Sequence, residues 1–100
     1  MLWAVSCLDK PNTAAIRDSV LQIHRDYLQS QKKILILAGA TQTDDGLTAV
    51  GSLFVLNVNS RAEAKAFSDG DPFTQKGVFA SITITRMRRG QWNPEAAEGA

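Results

Sequence analysis

Three short segments of this chain are apolar at nearly every position, where a strand with one face in water would be apolar only at every second. Leu2 to Leu8 has Ser6 as its one polar residue, Ile34 to Ala38 has none, and Val50 to Val58 keeps Leu53 and Val55 on one face against Phe54, Leu56 and Val58 on the other. A sheet covered by helices on one side alternates apolar inward and polar outward. These strands do not alternate, so both faces of their sheet need cover, and an apolar patch of that size is more than a soluble monomer normally leaves open. A fourth segment, Val78 to about Met87, points Val78, Ile82 and Ile84 one way and dilutes the other with Ser81, Thr83 and Thr85. Packing two such sheets face to face about a two-fold axis meets the requirement, and a homodimer through the sheet face is the expectation.

With 100 residues there is one domain and a small core, which an oligomer would extend. The lone Cys7 excludes an internal disulfide and a thiolate cage, and a single thiol in an apolar run suits a reducing compartment. No metal and no cofactor is expected, because neither a cluster of ligands nor a phosphate-binding or dinucleotide fingerprint is present. A formal net charge of +1 argues against nucleic acid as partner. No apolar run approaches the roughly 20 residues that span a bilayer. The apolar N-terminal run lacks a basic leader and is followed at once by Asp9 and Lys10, so it reads as a strand and the protein is expected in the cytoplasm.

Turn residues Asp9-Lys10-Pro11-Asn12 end the first strand, and Asn12 or Thr13 is placed to cap a helix from Ala14 to about Gln31. Ile16, Val20, Ile23 and Tyr27, spaced four, three and four apart, give that helix an apolar face. The second strand is closed by Gly39, Ala40 to Thr48 reads as a loop, and Gly51-Ser52 stands near the start of the third strand. Ser60 with Glu63 predicts a capping box for a helix from Arg61 to about Phe67, which Asp69-Gly70-Asp71-Pro72 breaks. The order is βαββαβ, a ferredoxin-like α+β fold: a four-stranded antiparallel sheet with two helices on one face. Residues 1–89 form the domain and 90–100 a tail, ordered only where Trp92 finds a pocket.

His24, the sole histidine, falls on the margin of the first helix's apolar stripe, in line with Arg17 and Leu28. It is either a half-buried boundary residue bonded to a carbonyl or a proton donor and acceptor near neutral pH. Asp71 before Pro72 is a standard start for a short helix, yet a capping carboxylate can also orient an imidazole; Asp69 competes for that second role. Gly39 and Gly51-Ser52 bracket one loop and allow close approach of backbone to a neighbour or ligand. Arg86, Arg88 and Arg89 either hold an anion or form a solvated edge that blocks aggregation.

In order and spacing these landmarks resemble the YciI-like (YCII-related) proteins of the dimeric α/β-barrel superfamily. The resemblance rests on Leu8-Asp9-Lys10, Arg17 and His24, Gly39, Gly51-Ser52, Asp71-Pro72-Phe73, Gly77-Val78-Phe79 and the closing Trp92. It implies a ferredoxin-like protomer, a face-to-face dimer, and a cleft where His24 and Asp71 pair, with Arg17, Gly39, Ser52 and Phe73 beside the substrate. Many such proteins carry an arginine where this chain has Leu21 and a proline where it has Ala40, both at the expected pocket. One characterised relative removes chloride from a chlorinated hydroxyhydroquinone. The expected function is a cofactor-independent lyase or isomerase acting on a small, aromatic or enolic substrate through the His–Asp pair. The alternative is a non-catalytic small-molecule-binding or accessory dimeric domain.

Overall fold

The computed structural model describes all 100 residues. The strands are β1 (Leu2–Asp9), β2 (Leu35–Gln42), β3 (Ala49–Asn57) and β4 (Phe79–Met87); the helices are α1 (Ala14–Ser30), α2 (Arg61–Gly70) and the one-turn α3 (Pro72–Gln75). Every neighbouring pair is antiparallel, and the sheet order is β2-β3-β1-β4. This is the ferredoxin-like arrangement, with β1 at the centre carrying Trp3, Val5 and Cys7 into the core and leaving Ser6 and Leu8 exposed. Phe54, Leu56 and Val58 from β3 and its end, Val20 from α1, Ala64 and Phe67 from α2, and Phe73, Val78 and Phe79 complete the interior.

The helix face of the sheet is where a two-residue pattern first fails. Leu35 pairs with Leu56 but Leu37 pairs with Val55, so a bulge at Ile36 breaks the alternation in β2. Leu35 and Ala38 therefore turn towards the helices, while Ile36 and Leu37 are exposed. A strand apolar at every position carries no mark of which residue will be skipped. β2 also runs on past Gly39 to Gln42, because Gly39, Ala40 and Thr41 pair with Leu53, Ser52 and Gly51. The expected loop thus shrinks to a turn closed by Thr43 N–H on the Thr48 carbonyl (2.9 Å), with Gly46 at φ 73°. In it Asp45 Oδ1 accepts from the Thr43 hydroxyl and the Leu47 amide, which holds the Asp45 carboxyl below its usual range.

α1 lies rotated from the face its isoleucines suggest. Its buried residues are Val20 and His24, whereas Ile16 and Ile23 are exposed. The row turned towards the sheet is Arg17, Leu21, His24 and Leu28, and there Arg17 and His24 meet the carboxylates of Asp9 and Asp71. Neither capping candidate accepts a bond from the helix: the Thr13 hydroxyl donates back to the Lys10 carbonyl (2.8 Å), and Asn12 sits at φ 62°. The capping box of α2 is present, with Ser60 Oγ accepting from Glu63 N–H (3.1 Å) and Glu63 Oε2 from Asn59 N–H (2.7 Å). α2 continues one turn beyond Phe67, supported by Lys65 and Asp69 at 2.7 Å. It stops where Pro72 forces Asp71 into extended backbone, ψ 125°.

The opposite face of the sheet has no helix on it. Leu8, Leu37, Leu53 and Ile36 lie exposed towards the β2–β3 side, and Ser6, Thr83 and Thr85 form a polar band towards β4. Trp92 from the tail borders a groove of about 520 Å³ on this face with Leu2, Ile36, Leu37, Val55 and Met87, and remains more than half exposed. Beyond it Pro94–Ala97 makes one 3-10 turn. Arg86, Arg88 and Arg89 are exposed at the end of β4. No helix is long and apolar enough to cross a membrane.

Candidate active site

Between α1 and the β2–β3 hairpin lies a cleft of about 240 Å³ lined by Arg17, Leu21, His24, Arg25, Leu28, Ala38, Gly39, Ala40, Ser52, Phe54 and Phe73. It is smaller than most drug-sized pockets, and suits a ligand of about one ring. The helix contributes residues 17, 21, 24, 25 and 28, one stripe of a 3.6-residue period.

His24 Nδ1 lies 2.7 Å from Asp71 Oδ1, with both side chains nine-tenths or more buried. A carboxylate can only accept, so Nδ1 carries the proton and Nε2 the lone pair. The same Oδ1 accepts the amide of Phe73 at 3.0 Å, so one oxygen caps α3 and fixes the imidazole tautomer together. Phe73 stacks on the His24 ring at 3.7 Å and 7° between planes, and Phe54 meets it edge-on at 6.3 Å. The imidazole can neither tilt nor flip without breaking these contacts. Asp69, the competing carboxylate, is exposed and engaged with Lys65.

Arg17 is anchored on three sides. Nε donates to Asp9 Oδ2 (2.8 Å); Nη2 donates to the Gly51 carbonyl (2.7 Å), to Ser52 Oγ (2.8 Å) and, at 3.3 Å, to Asp9 Oδ1. Its guanidinium carbon is 4.6 Å from the centroid of Phe73, within cation–π range. Nη1 forms no hydrogen bond, and Ser52, having accepted from Arg17, retains its own O–H to donate. The sequence offered Asp9 only as a turn residue; its role as Arg17's clamp becomes visible once β1 and α1 are packed.

The two glycines differ in the room around them. A Cβ on Gly51 would collide with the Cys7 carbonyl, so β1 and β3 need a glycine there to approach this closely. A Cβ on Gly39 would meet nothing within 4 Å. Pairing with Leu53 turns the Gly39 Cβ position towards the open face, so only its backbone borders the cleft. Leu21 and Ala40, the two departures from the resemblance, both line the cleft.

Around this pair the electrostatics are those of a closed interior. Burial, then the carboxylates of Asp71 and Asp9, push the Cys7 thiol up to about 12, partly offset by Arg17. Burial, helped by Asp71, likewise raises the Tyr27 phenol, whose O–H donates to the Phe67 carbonyl (2.8 Å). Asp71 Oδ2 and Thr74 Oγ1 are buried without a hydrogen-bond partner in the protein. No three His, Cys, Asp or Glu side chains are grouped to hold a metal ion.

The YCII-related domain family matches residues 1–88. The chain belongs to that family. Its fold is close to a solved 5-chloro-2-hydroxyhydroquinone dehydrochlorinase from Burkholderia phenoliruptrix AC1100 in complex with 2,5-dihydroxybenzoquinone. That likeness has a TM-score of 0.82 and 28% identity over 90% of this chain and 96% of the other. An antibiotic biosynthesis monooxygenase shares the fold more distantly, with a TM-score of 0.50 and 16% identity over 88% and 97% of the two chains. None of the curated proteins matches the sequence.

Proposed function

We propose that this YCII-related protein is a cofactor-independent lyase or isomerase for a small, hydroxylated aromatic or enolic molecule, with His24 as general base and acid. The observation that carries the reading is the buried 2.7 Å contact between His24 Nδ1 and Asp71, which leaves Nε2 as the basic nitrogen of a histidine lining the cleft. Nε2 takes a proton from a substrate O–H or C–H. The freed electron pair makes a new π-bond and expels an adjacent leaving group with its bonding pair, or it shifts to a neighbouring carbon to which His24 returns the proton. Asp71 stabilises the imidazolium that forms in between, and is a positioning residue. Arg17 Nη1 and the Ser52 hydroxyl hold the substrate oxygen on which negative charge develops. Phe73 supplies a flat wall, and the backbone of Gly39 borders the ligand.

Two chains pack open face to open face in this reading, as a homodimer that covers Leu8, Leu37 and Leu53 and leaves the cleft between α1 and its own sheet. Chloride release from a chlorinated hydroxyhydroquinone is the assay. Replacing His24 by Ala is expected to lower turnover about 10²- to 10⁴-fold, the range of general acid–base catalysis. Unchanged turnover in His24→Ala would overturn the assignment. Tight binding with no turnover of any such compound would put a non-catalytic binding domain in its place.

A further inference from the structure

The two arginines of the cleft are electrostatically unlike. Arg17 is a nearly buried cation whose charge is met by the two oxygens of Asp9, so it offers directed N–H groups with little net field. Arg25 also lines the cleft but is exposed, and its guanidinium makes no ion pair and no hydrogen bond. Between them the walls are apolar or small: Leu21, Leu28, Ala38, Ala40 and Phe54. The cleft is therefore bordered by two kinds of arginine: a neutralised donor in Arg17 and, two helical turns along α1, an exposed and uncompensated positive charge in Arg25.

We propose that Arg25 is the charge-reading residue of this cleft. It selects a planar ligand carrying an ionised oxygen at the end away from Arg17, with an uncharged middle. This rests on the acid–base reading above and deepens it by naming the substrate class: a monoanionic ring with oxygens on opposite edges. At about 1.5 Å per residue, positions 17 and 25 stand roughly 12 Å apart along α1. Leu21 lies between the two arginines, where a third cation would favour a second charge. An aliphatic side chain there makes an additional ionised group in the middle of the ligand costly, since it would be buried without a partner. The unpaired cation also attracts the anion before contact, so its contribution weakens as salt screens it.

The test uses the intact protein, 4-hydroxybenzoate (a monoanion at neutral pH with its charge at one end of the ring) as the anionic probe and hydroquinone as a neutral ring of similar shape, with affinities from calorimetry at low and high salt. Wild type is expected to prefer the anion, and Arg25→Gln to weaken anion binding about tenfold and remove most of its salt dependence. Hydroquinone binding should stay within twofold, and Arg25→Lys should recover most of the anion preference. Because Arg25 is exposed and unpaired, these variants leave the fold intact. Equal anion affinity in wild type and Arg25→Gln, or no preference of wild type for the anion, overturns the proposal. Arg25-dependent anion binding that persists in a His24→Ala variant with undiminished turnover sinks the acid–base reading and leaves Arg25's role standing. Turnover that needs His24 but ignores Arg25 does the reverse.

Discussion

The two faces of this sheet handle polarity in opposite ways. The helix-covered face encloses two carboxylates, an arginine and the only histidine, each paired. The bare face exposes Leu8, Leu37 and Leu53 and has no charged residue among them. Ordinary burial would give the reverse. Buried pairs hold their geometry only where packing fixes them, and here the Phe73 ring, the Gly51 carbonyl and the α3 amide do so. An exposed aliphatic surface makes sense as an area for another molecule to cover. The proposed function accordingly places chemistry on the inner face and assembly on the outer.

The contrast breaks most severely if the inner pairs are dispensable. Asp71→Ala strips a buried imidazole of its partner and α3 of its cap, and should cost about 2–4 kcal/mol, the combined cost of an unsatisfied buried donor and a lost N-cap. Denaturant titration measures it, and a loss below 1 kcal/mol would mean that the pair does not organise the interior. Leu37→Asp on the outer face should leave the monomer folded and weaken dimer association at least tenfold by sedimentation equilibrium. A wild-type chain that is monomeric at micromolar concentration would remove the outer half of the comparison. Gly51→Ala, which drives a methyl into the Cys7 carbonyl, should cost about 1–3 kcal/mol, as overpacking does.

The Cys7 thiol gives the comparison a pH signature. Its pKa is raised in the folded chain from 9.0 to about 12, so the native state holds that proton more tightly than the unfolded one. Below pH 9 the thiol is neutral in both states and its contribution is complete. Above pH 9 the unfolded chain ionises first, and stability drains away until about pH 12. Unfolding midpoints at pH 8 and pH 10 should therefore fall less in Cys7→Ala than in wild type. The smallest effect is expected for Gly39→Ala, within about 0.5 kcal/mol for an isolated chain because its methyl points into open space. Any larger effect should be seen only in the dimer.

The order of elements could be read from periodicity and turn residues, whereas the meeting of residues 24 and 71 was legible only through the resemblance to the YCII-related proteins, which the 2.7 Å contact bears out. What periodicity could not supply was the exact face of α1. Ile16 and Ile23 have the spacing of core residues, and nothing local says that Arg17 and His24 will find Asp9 and Asp71 across the fold. The bulge at Ile36 was hidden for a similar reason, since Ile-Leu-Ile-Leu offers no polar residue to mark the skipped position. Nothing in the sequence marks Arg25, because its place on the cleft and its lack of any partner are facts of tertiary structure.

Asp71 Oδ1 serves the Phe73 amide and the His24 imidazole at once, and this shared acceptor bears on how such a site changes over evolution. A descendant that abandons the reaction keeps a use for the carboxylate, because α3 still has to be capped and Phe73 still has to close the core. The histidine has no such second duty and can drift to any residue that fills the space. An alignment of YCII-related chains is therefore expected to keep the Asp-Pro-Phe turn more widely than the histidine that faces it on α1, and loss of the histidine alone would mark the chains in which the cleft serves binding.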